Sequence, residues 1–383
     1  MNRAERKAVR RKAKTASIIF CGPYSPPVTG QTIATDFLFR ACREAGLNVR
    51  RANIVRGNTR NKILNLTIRT VRVLRCLVAL VWERSRGASV LYLSVDANRG
   101  MYVTVLLASL ARLLGYRVVL HHHAFASIGQ RVMRMTLLAR AVGRRGVHVT
   151  ICDYMSWRLQ EVYREVCVTA TQSNAILLPV VSTSSSPWLS AGRFRIGFLG
   201  RLTVEKGVLD ALEVFARLRE QKQPVSLTLA GPIGNPAVNA AISETREKFG
   251  SDDFFTPGML LGADKESFYQ SIDLFLFPTR YANETQGIVN LEAMSHGVPV
   301  VAFGRCCVPS DVGEDGGVVV PVGGDFVGTA VAKVVEFISD PERHAESRQQ
   351  ALRQFVKLKE RAENDLENLL TILKPSRNSH PIT

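Results

Sequence analysis

Short runs of β-branched and aromatic apolar residues alternate along the chain with longer segments in which apolar residues recur every three or four positions. The short runs predict buried strands, and the longer segments predict helices that cover a sheet. The predicted strands are residues 17–20, 90–93, 116–120 and 147–151 in the first half, and 195–199, 225–229, 274–277 and 298–303 in the second. Alternating strands and helices favour an α/β fold with doubly wound parallel sheets.

The pattern occurs twice, once in each half of the chain. A length of 383 residues exceeds what one ordinary hydrophobic core supports, so two domains are expected. A Ser-rich stretch over residues 179–192 interrupts the pattern and predicts the linker. The resulting prediction is an N-terminal Rossmann-like domain over residues 1–185 and a C-terminal Rossmann-like domain over 193–355. A final helix and tail follow over 356–383.

The charge is distributed unevenly between the two halves. Residues 1–190 hold 29 Lys or Arg against eight Asp or Glu, whereas residues 191–383 hold 21 against 25. The formal net charge of +17 therefore originates in the first half. Such an asymmetry indicates that the N-terminal half meets an anionic surface, either a membrane leaflet or nucleic acid.

A basic helix is predicted over residues 62–86. Lys62, Asn65, Arg69 and Arg72 share one stripe of this helix, and Trp82 stands among its apolar residues. The uninterrupted apolar run after Arg75 is too short to span a bilayer, which needs about 20 residues. The pattern is typical of a helix that lies among lipid headgroups, and the alternative is a core helix with one solvated edge.

The stretch E-T-Q-G-I-V-N-L-E-A-M-S-H-G-V-P-V-V predicts a loop, a helix and a strand, with Gly287 where the helix begins. The N-terminus of a helix presents unpaired N–H groups and a partial positive charge, which suit a diphosphate. Glu284 precedes the helix and Glu292 lies inside it. Two carboxylates on either side of the anion are suited to bind hydroxyl groups of two sugars.

A second loop supplies cations. In G-R-L-T-V-E-K-G, Arg201 and Lys206 lie between a predicted strand and helix, where they are suited to neutralise a leaving diphosphate. In the first half, Gly30 stands where a helix begins after a Gly/Pro loop. The run His121-His122-His123 follows a strand directly, as ligand-contacting residues of parallel sheets do. No acidic or Cys residue stands near these histidines at metal-ligand spacing, so a polar substrate contact is favoured over a metal.

With these motifs in order, the chain resembles the retaining glycosyltransferases of the GT-B fold, specifically the family 4-type group (glycosyl transferases group 1). The resemblance is specific over residues 197–343, through G-F-L-G-R-L-T-V-E-K-G, L-A-G-P, D-L-F-L-F-P-T, the Glu284–Glu292 stretch and D-G-G-V-V-V-P. It implies two Rossmann-like domains that face each other across a cleft. It also implies that the C-terminal segment crosses back onto the N-terminal domain.

The resemblance assigns roles to these residues. It implies that Arg201 and Lys206 bind and stabilise the donor diphosphate, that Glu284 contacts the transferred sugar, and that Glu292 holds the ribose. Backbone N–H groups of Gln286, Gly287 and Ile288 would bind the phosphates, and the loop with Gly258 and Met259 would meet the nucleobase. Gly30 and His123 would act beside the diphosphate and the anomeric carbon, with His121 as the alternative to His123.

The implied function is transfer of a sugar, with retention, from a nucleotide-sugar to a lipid-linked or glycan acceptor at the cytoplasmic face of the membrane. No metal or other cofactor is expected, because the two cations replace a divalent ion. Expected partners are the donor, the acceptor and an anionic membrane surface, with no nucleic acid. Two alternatives remain open at this point. One is a soluble glycosyltransferase with a small-molecule acceptor. The other is a nucleic-acid-binding protein, against which the low aromatic content of 7% and the lack of a recognised binding motif argue.

Overall fold

The computed structural model describes residues 18–26, 29–54, 61–181 and 192–375. The chain forms two compact units. Unit 1 comprises residues 1–173 and 363–383, and unit 2 comprises residues 174–362. Each unit is built around one six-stranded sheet with helices on its faces.

The sheet of unit 1 is parallel throughout and has the strand order β2-β1-β3-β4-β5-β6. Its strands are β1 Ile18–Gly22, β2 Val49–Asn53, β3 Val90–Ser94, β4 Arg117–His121, β5 Val147–Thr150 and β6 Val168–Thr171. The sequence prediction contains the four inner strands and misses β2 and β6. Both missed strands lie at edges of the sheet and are partly solvated, so they lack the continuous apolar run of a buried parallel strand.

Six α-helices connect these strands in the described part of unit 1. They are α1 Gly30–Glu44, α2 Lys62–Ser85, α3 Met101–Leu113, α4 Ala126–Gly129, α5 Met133–Val142 and α6 Asp153–Val162. Phe20 stacks on Tyr92 in the core between the sheet and α1, and their ring centroids are 3.8 Å apart. Helix α5 ends at Val142, because Gly143 follows it with a positive φ of 70°.

The sheet of unit 2 is also parallel and has the order β12-β11-β10-β7-β8-β9. Its strands are β7 Phe194–Leu199, β8 Val225–Ala230, β9 Phe254–Gly258, β10 Leu274–Phe277, β11 Val300–Phe303 and β12 Gly317–Val320. The two edge strands β9 and β12 are again those missing from the sequence prediction. Glycines on both sides of the short run Val318–Val320 obscure its strand character.

The helices described in unit 2 cover both faces of this sheet. They are α7 Val208–Glu220, α8 Pro236–Phe249, α9 Ala263–Ser271, α10 Ile288–Ser295, α11 Val308–Val312, α12 Phe326–Ser339 and the long α13 Pro341–Leu373. Helix α13 begins in unit 2, and its last turns belong to unit 1, where Leu369 and Leu373 are completely buried.

The division between the units falls at residue 173, whereas the sequence prediction ends the first domain at 185. Most of the predicted linker, residues 182–191, lies outside the described residues. The segment that precedes it belongs to unit 2. The Asn174 N–H donates to the Gln286 side chain (3.0 Å), and the Val181 N–H donates to the Ser295 carbonyl (3.1 Å).

Helix α2 turns an apolar stripe towards solvent. Ile63, Leu66, Leu74, Val78 and Trp82 are each more than half exposed. Arg69, predicted on the polar stripe of a helix that lies among headgroups, is instead only 8% exposed, and its guanidinium pairs with the Asp96 carboxylate. No described helix contains a stretch that is long and apolar enough to cross a bilayer.

Candidate active site

The strand order of unit 2 reverses between β7 and β10. These strands are parallel neighbours, with Ile196 opposite Leu274 and Gly197 opposite Phe275, so their carboxyl ends meet at one edge. The chain leaves β7 in one direction and β10 in the other, which opens a crevice where ligands of doubly wound sheets bind. The two loops at this point, residues 200–207 and 278–287, contain both cations and the first carboxylate of the predicted site.

Close packing holds these loops together. Gly207 has φ +81°, and a Cβ there would overlap the Pro278 carbonyl oxygen, so only glycine fits. The Arg280 N–H donates to the Glu205 carbonyl (2.7 Å). The end of the first loop is therefore fixed against the start of the second.

This packing brings Lys206 and Glu284 into direct contact, although 78 positions separate them in sequence. The Lys206 ammonium pairs with the Glu284 carboxylate and lies 4.9 Å from the ring centre of Tyr281. Both charged side chains keep some solvent access, 26% and 13% respectively. A cation and a carboxylate at this position can bind an anionic ligand and a sugar hydroxyl at adjacent points.

Helix α10 begins at Ile288, four residues after Glu284. Gly287 adopts φ +63°, and a Cβ there would lie 2.6 Å from Phe277 and 2.9 Å from the Asn290 amide, so glycine is required at this N-cap. Among the described residues, no side chain caps this helix N-terminus by a hydrogen bond. The N–H groups of its first turn, from Ile288 onwards, therefore form a site suited to a phosphate.

Two side chains of helix α9 hold the second carboxylate, Glu292. The Lys265 ammonium pairs with its Oε1, and the Tyr269 hydroxyl donates to its Oε2 (2.8 Å). Tyr269 is 1% exposed, so this hydrogen bond is shielded from solvent. Neither Lys265 nor Tyr269 was predicted from the sequence as a contact of Glu292. Their four-residue spacing on a predicted helix could have indicated a shared partner, because it places both side chains on one face.

Gln286 lies in the same loop with its side chain directed inwards. It is 1% exposed, its amide oxygen accepts from the Asn174 N–H, and its side chain hydrogen-bonds the buried Asp311 carboxyl group. Burial raises the pKa of Asp311 to about 7, and the Gln286 hydrogen bond opposes this shift. The Gln286 side chain therefore orders the loop, which leaves its backbone for ligand binding.

Arg201, Gly258 and Met259 lie towards the other side of β7. Arg201 is exposed, and its Nε would lie 3.3 Å from a Cβ at Gly234, so this side chain extends over the loop after β8. Gly258 ends β9, and its carbonyl accepts from the Gly231 N–H (2.6 Å). Met259 is 67% exposed, next to the end of that strand.

Unit 1 places its own candidates at the carboxyl edge of its sheet. Gly30 is the exposed first residue of α1, and a Cβ there would meet no atom within 4 Å. Packing within the described residues therefore does not account for this glycine. The side chain of the preceding Thr29 caps α1 through the Thr32 N–H (3.2 Å).

The three consecutive histidines have different environments. The buried His121 shares a 2.7 Å hydrogen bond with the Tyr92 hydroxyl through Nδ1, and His122 shares one of 3.0 Å with His148. Together with His122, His123 lines a small pocket next to Asp96. Burial lowers the pKa of His123 to about 4, so its imidazole is neutral at physiological pH. Of the two alternatives His121 and His123, only His123 lines this pocket.

The C-terminal half of the chain, which contains these two loops, is similar to a known protein family. Residues 169–354, just under half of the chain, match the family model of the glycosyl transferases group 1. An alpha-monoglucosyldiacylglycerol synthase of Streptococcus pneumoniae is 28% identical over 107 residues, which are 28% of this chain. The match spans only 23% of that protein.

Solved structures share the fold over nearly the whole chain at low identity. The sucrose-phosphate synthase of Thermosynechococcus elongatus superposes with a TM-score of 0.69 at 14% identity and covers 94% of this chain and 99% of its own. Anabaena HepE in complex with UDP superposes with a TM-score of 0.64 at 15% identity, and the match covers 92% of this chain and 100% of HepE. The lipopolysaccharide outer core galactosyltransferase WaaB superposes with a TM-score of 0.65 at 13% identity, and the match covers 94% of this chain and 100% of WaaB. Residues 169–354 therefore resemble the group 1 glycosyltransferases, and the chain shares the two-domain α/β fold of these solved structures.

Proposed function

We propose that the protein is a retaining glycosyltransferase that transfers a sugar from a nucleotide-sugar to a lipid-linked or glycan acceptor at the cytoplasmic membrane face. The observation that carries this proposal is the contact between Lys206 and Glu284, immediately before the uncapped N-terminus of α10. Lys206 and the helix N-terminus bind the donor diphosphate, and Glu284 binds a hydroxyl of the sugar. Arg201 adds a second cation.

The positive charge of Lys206, Arg201 and the helix N-terminus stabilises the diphosphate more strongly as it departs than when the donor is intact. The bond between the anomeric carbon and the phosphate oxygen breaks, and negative charge accumulates on the diphosphate, where Lys206 stabilises it. The acceptor oxygen bonds to the anomeric carbon from the same face, and its proton passes to the departing phosphate. In this scheme no divalent ion is required, because the two cations and the helix N-terminus supply the positive charge.

A double displacement would need a protein carboxylate as nucleophile. Two carboxylates of unit 1 are candidates by position, Asp96 after strand β3 and Asp153 at the start of α6 after β5. The Asp96 carboxylate accepts from the Arg69 guanidinium, and such a pairing reduces the nucleophilicity of a carboxylate. This contact argues against Asp96 as the nucleophile of a covalent route.

The proposal is tested by transfer assays in the presence of EDTA with UDP-, GDP- and ADP-sugars and a membrane lipid extract. UDP-sugars come first, because the structural neighbour HepE was solved with UDP. We expect donor-dependent labelling of a lipid product whose anomeric configuration, determined by NMR, equals that of the donor. An inverted product would contradict the mechanism, and transfer that stops with EDTA would contradict the metal-free scheme.

Membrane docking follows from the exposed apolar stripe of α2. Exposed apolar patches of this extent mark interaction surfaces, and the basic residues of α2 add about 1 kcal/mol each near an anionic leaflet. The similarity to a synthase named for a diacylglycerol product supports a lipid surface.

We therefore expect the protein to float with anionic vesicles, and we expect Val78→Glu to reduce the bound fraction at least fivefold. Val78 is 68% exposed, so the substitution leaves the core intact. Val322→Glu in unit 2, at a valine that is 54% exposed, is the matched control and should float like the unsubstituted protein. Equal flotation of all three proteins would show that α2 does not dock.

A further inference from the structure

A groove runs between helices α2 and α3 of unit 1. The groove has a volume of about 810 Å³, which lies within the usual range for small-molecule sites. Its walls are mainly aliphatic, and the main apolar residues are Leu66, Val73, Leu74, Leu77, Val103 and Leu106. The rim residues Leu66, Leu74 and Leu106 are 66%, 55% and 50% exposed, so the groove is open to solvent along its length.

One end of the groove is polar and basic. Arg69 lines it, is 8% exposed, and pairs with Asp96 through one terminal nitrogen. Its Nε is buried and has no hydrogen-bond partner among the described residues, so its positive charge is only partly compensated. Arg99, which is exposed, lines the same groove. Two guanidinium groups and one carboxylate give this end a net positive charge, which suits a phosphate group.

The same end adjoins the predicted catalytic region of unit 1. Asp96 pairs with Arg69 at the groove, and it also lines the small pocket of His122 and His123. Gly100 lines the groove, and the next residue, Met101, lines the histidine pocket. A Cβ at Gly100 would lie 2.9 Å from the Asp96 side chain, so glycine permits this close arrangement.

We propose that this groove binds the apolar chain of a phosphate-bearing acceptor lipid. The chain lies between α2 and α3, the phosphate binds Arg99 at the end of the groove that Arg69 makes basic, and the headgroup extends towards His123. The apolar lining, the charge at one end, and the continuity with the histidine pocket select this occupant over a second protein chain. The inference rests on the proposed transferase function and names the acceptor class for it.

The test uses the full-length protein and a lysophosphatidic acid with a diazirine in its acyl chain, kept below its critical micelle concentration. Photolysis should label peptides from residues 65–77 and 99–106. Leu106→Glu places a charge in the groove at a half-exposed position and should weaken binding at least tenfold. Leu113→Glu is the matched control. Leu113 lies two helical turns further along α3, is 85% exposed, and should bind the probe within twofold of the unsubstituted protein.

A second variant tests the basic end. Arg99→Gln should weaken binding of the phosphate probe about fivefold or more and leave binding of the corresponding monoacylglycerol unchanged. Equal losses for both probes would overturn the assignment of the phosphate. Labelling confined to residues outside the groove, or unchanged binding by Leu106→Glu, would overturn the assignment of the chain.

These outcomes are separable from failure of the proposed function. Thermal stabilisation by UDP reports on unit 2 and should be unchanged in Leu106→Glu. Sugar transfer to lipid that is unaffected by Leu106→Glu would refute the groove alone. Binding of the probe in the groove without transfer from any nucleotide-sugar would refute the transferase function alone.

Discussion

Replacing Lys206 by alanine is expected to lower kcat about 10²–10³-fold, the range seen when one group that stabilises developing negative charge is removed. The structure gives the reason. Lys206 pairs with Glu284 at the carboxyl edge of the sheet, next to the N-terminus of α10, where a departing diphosphate would lie. A lysine whose charge is used mainly as the leaving group departs contributes more to the transition state than to the bound donor. The loss should therefore appear in kcat more than in KM.

Lys248→Ala is the matched control for this substitution. Lys248 also forms an ion pair within unit 2, with Glu220, but both side chains are more than half exposed and α8 carries the lysine away from the site. Steady-state kinetics of both variants, with circular dichroism to verify folding, separate catalysis from stability. Lys206→Arg should recover part of the activity, because it restores the charge. Normal turnover by a folded Lys206→Ala protein would remove Lys206 from the mechanism.

The sequence was sufficient for the central strands and for the residues that flank the switch point. Eight predicted strands correspond to inner strands of the two sheets, because a parallel strand buried on both faces reads as a continuous apolar run. The four edge strands lack such a run and were therefore not predicted. Val49–Asn53 contains two exposed arginines, and Gly317–Val320 is short and bounded by turns, so neither shows the pattern of a buried strand.

The contact between Lys206 and Glu284 could not be predicted from the sequence, for a different reason. The motifs placed Lys206 and Glu284 in separate loops, and only the adjacency of β7 and β10 brings them into contact. The interior position of Arg69 was likewise hidden. A helical stripe that contains an arginine normally faces water, and the compensating Asp96 lies 27 residues away on another element. Sequence periodicity records which residues share a face but not which face another element covers.

The Glu292 carboxylate provides the second large effect, and here the loss should appear in binding. If Glu292 holds the ribose, its contact is similar in the bound donor and in the transition state. We expect Glu292→Gln to raise the donor KM about 10–100-fold with little change in kcat. This range follows from about 1.5–3 kcal/mol for a hydrogen bond to a charged group. Isothermal titration with UDP and with its deoxyribose analogue measures the contribution of this hydrogen bond to the binding free energy directly. Removing the contacted hydroxyl should weaken binding to the unsubstituted protein and have little further effect in Glu292→Gln.

The two donors that hold Glu292 make the same prediction more specific. Tyr269→Phe removes one buried hydrogen bond and keeps the ring, which packs against Phe275 and His296. It should raise the donor KM about threefold to tenfold, because the carboxylate loses one of the two contacts that orient it. Tyr154→Phe, at a tyrosine of α6 in unit 1 that is 43% exposed, controls for loss of a hydroxyl. A fall in kcat at unchanged KM in either Glu292→Gln or Tyr269→Phe would place this carboxylate at the reacting carbon, and the ribose assignment would have to be abandoned.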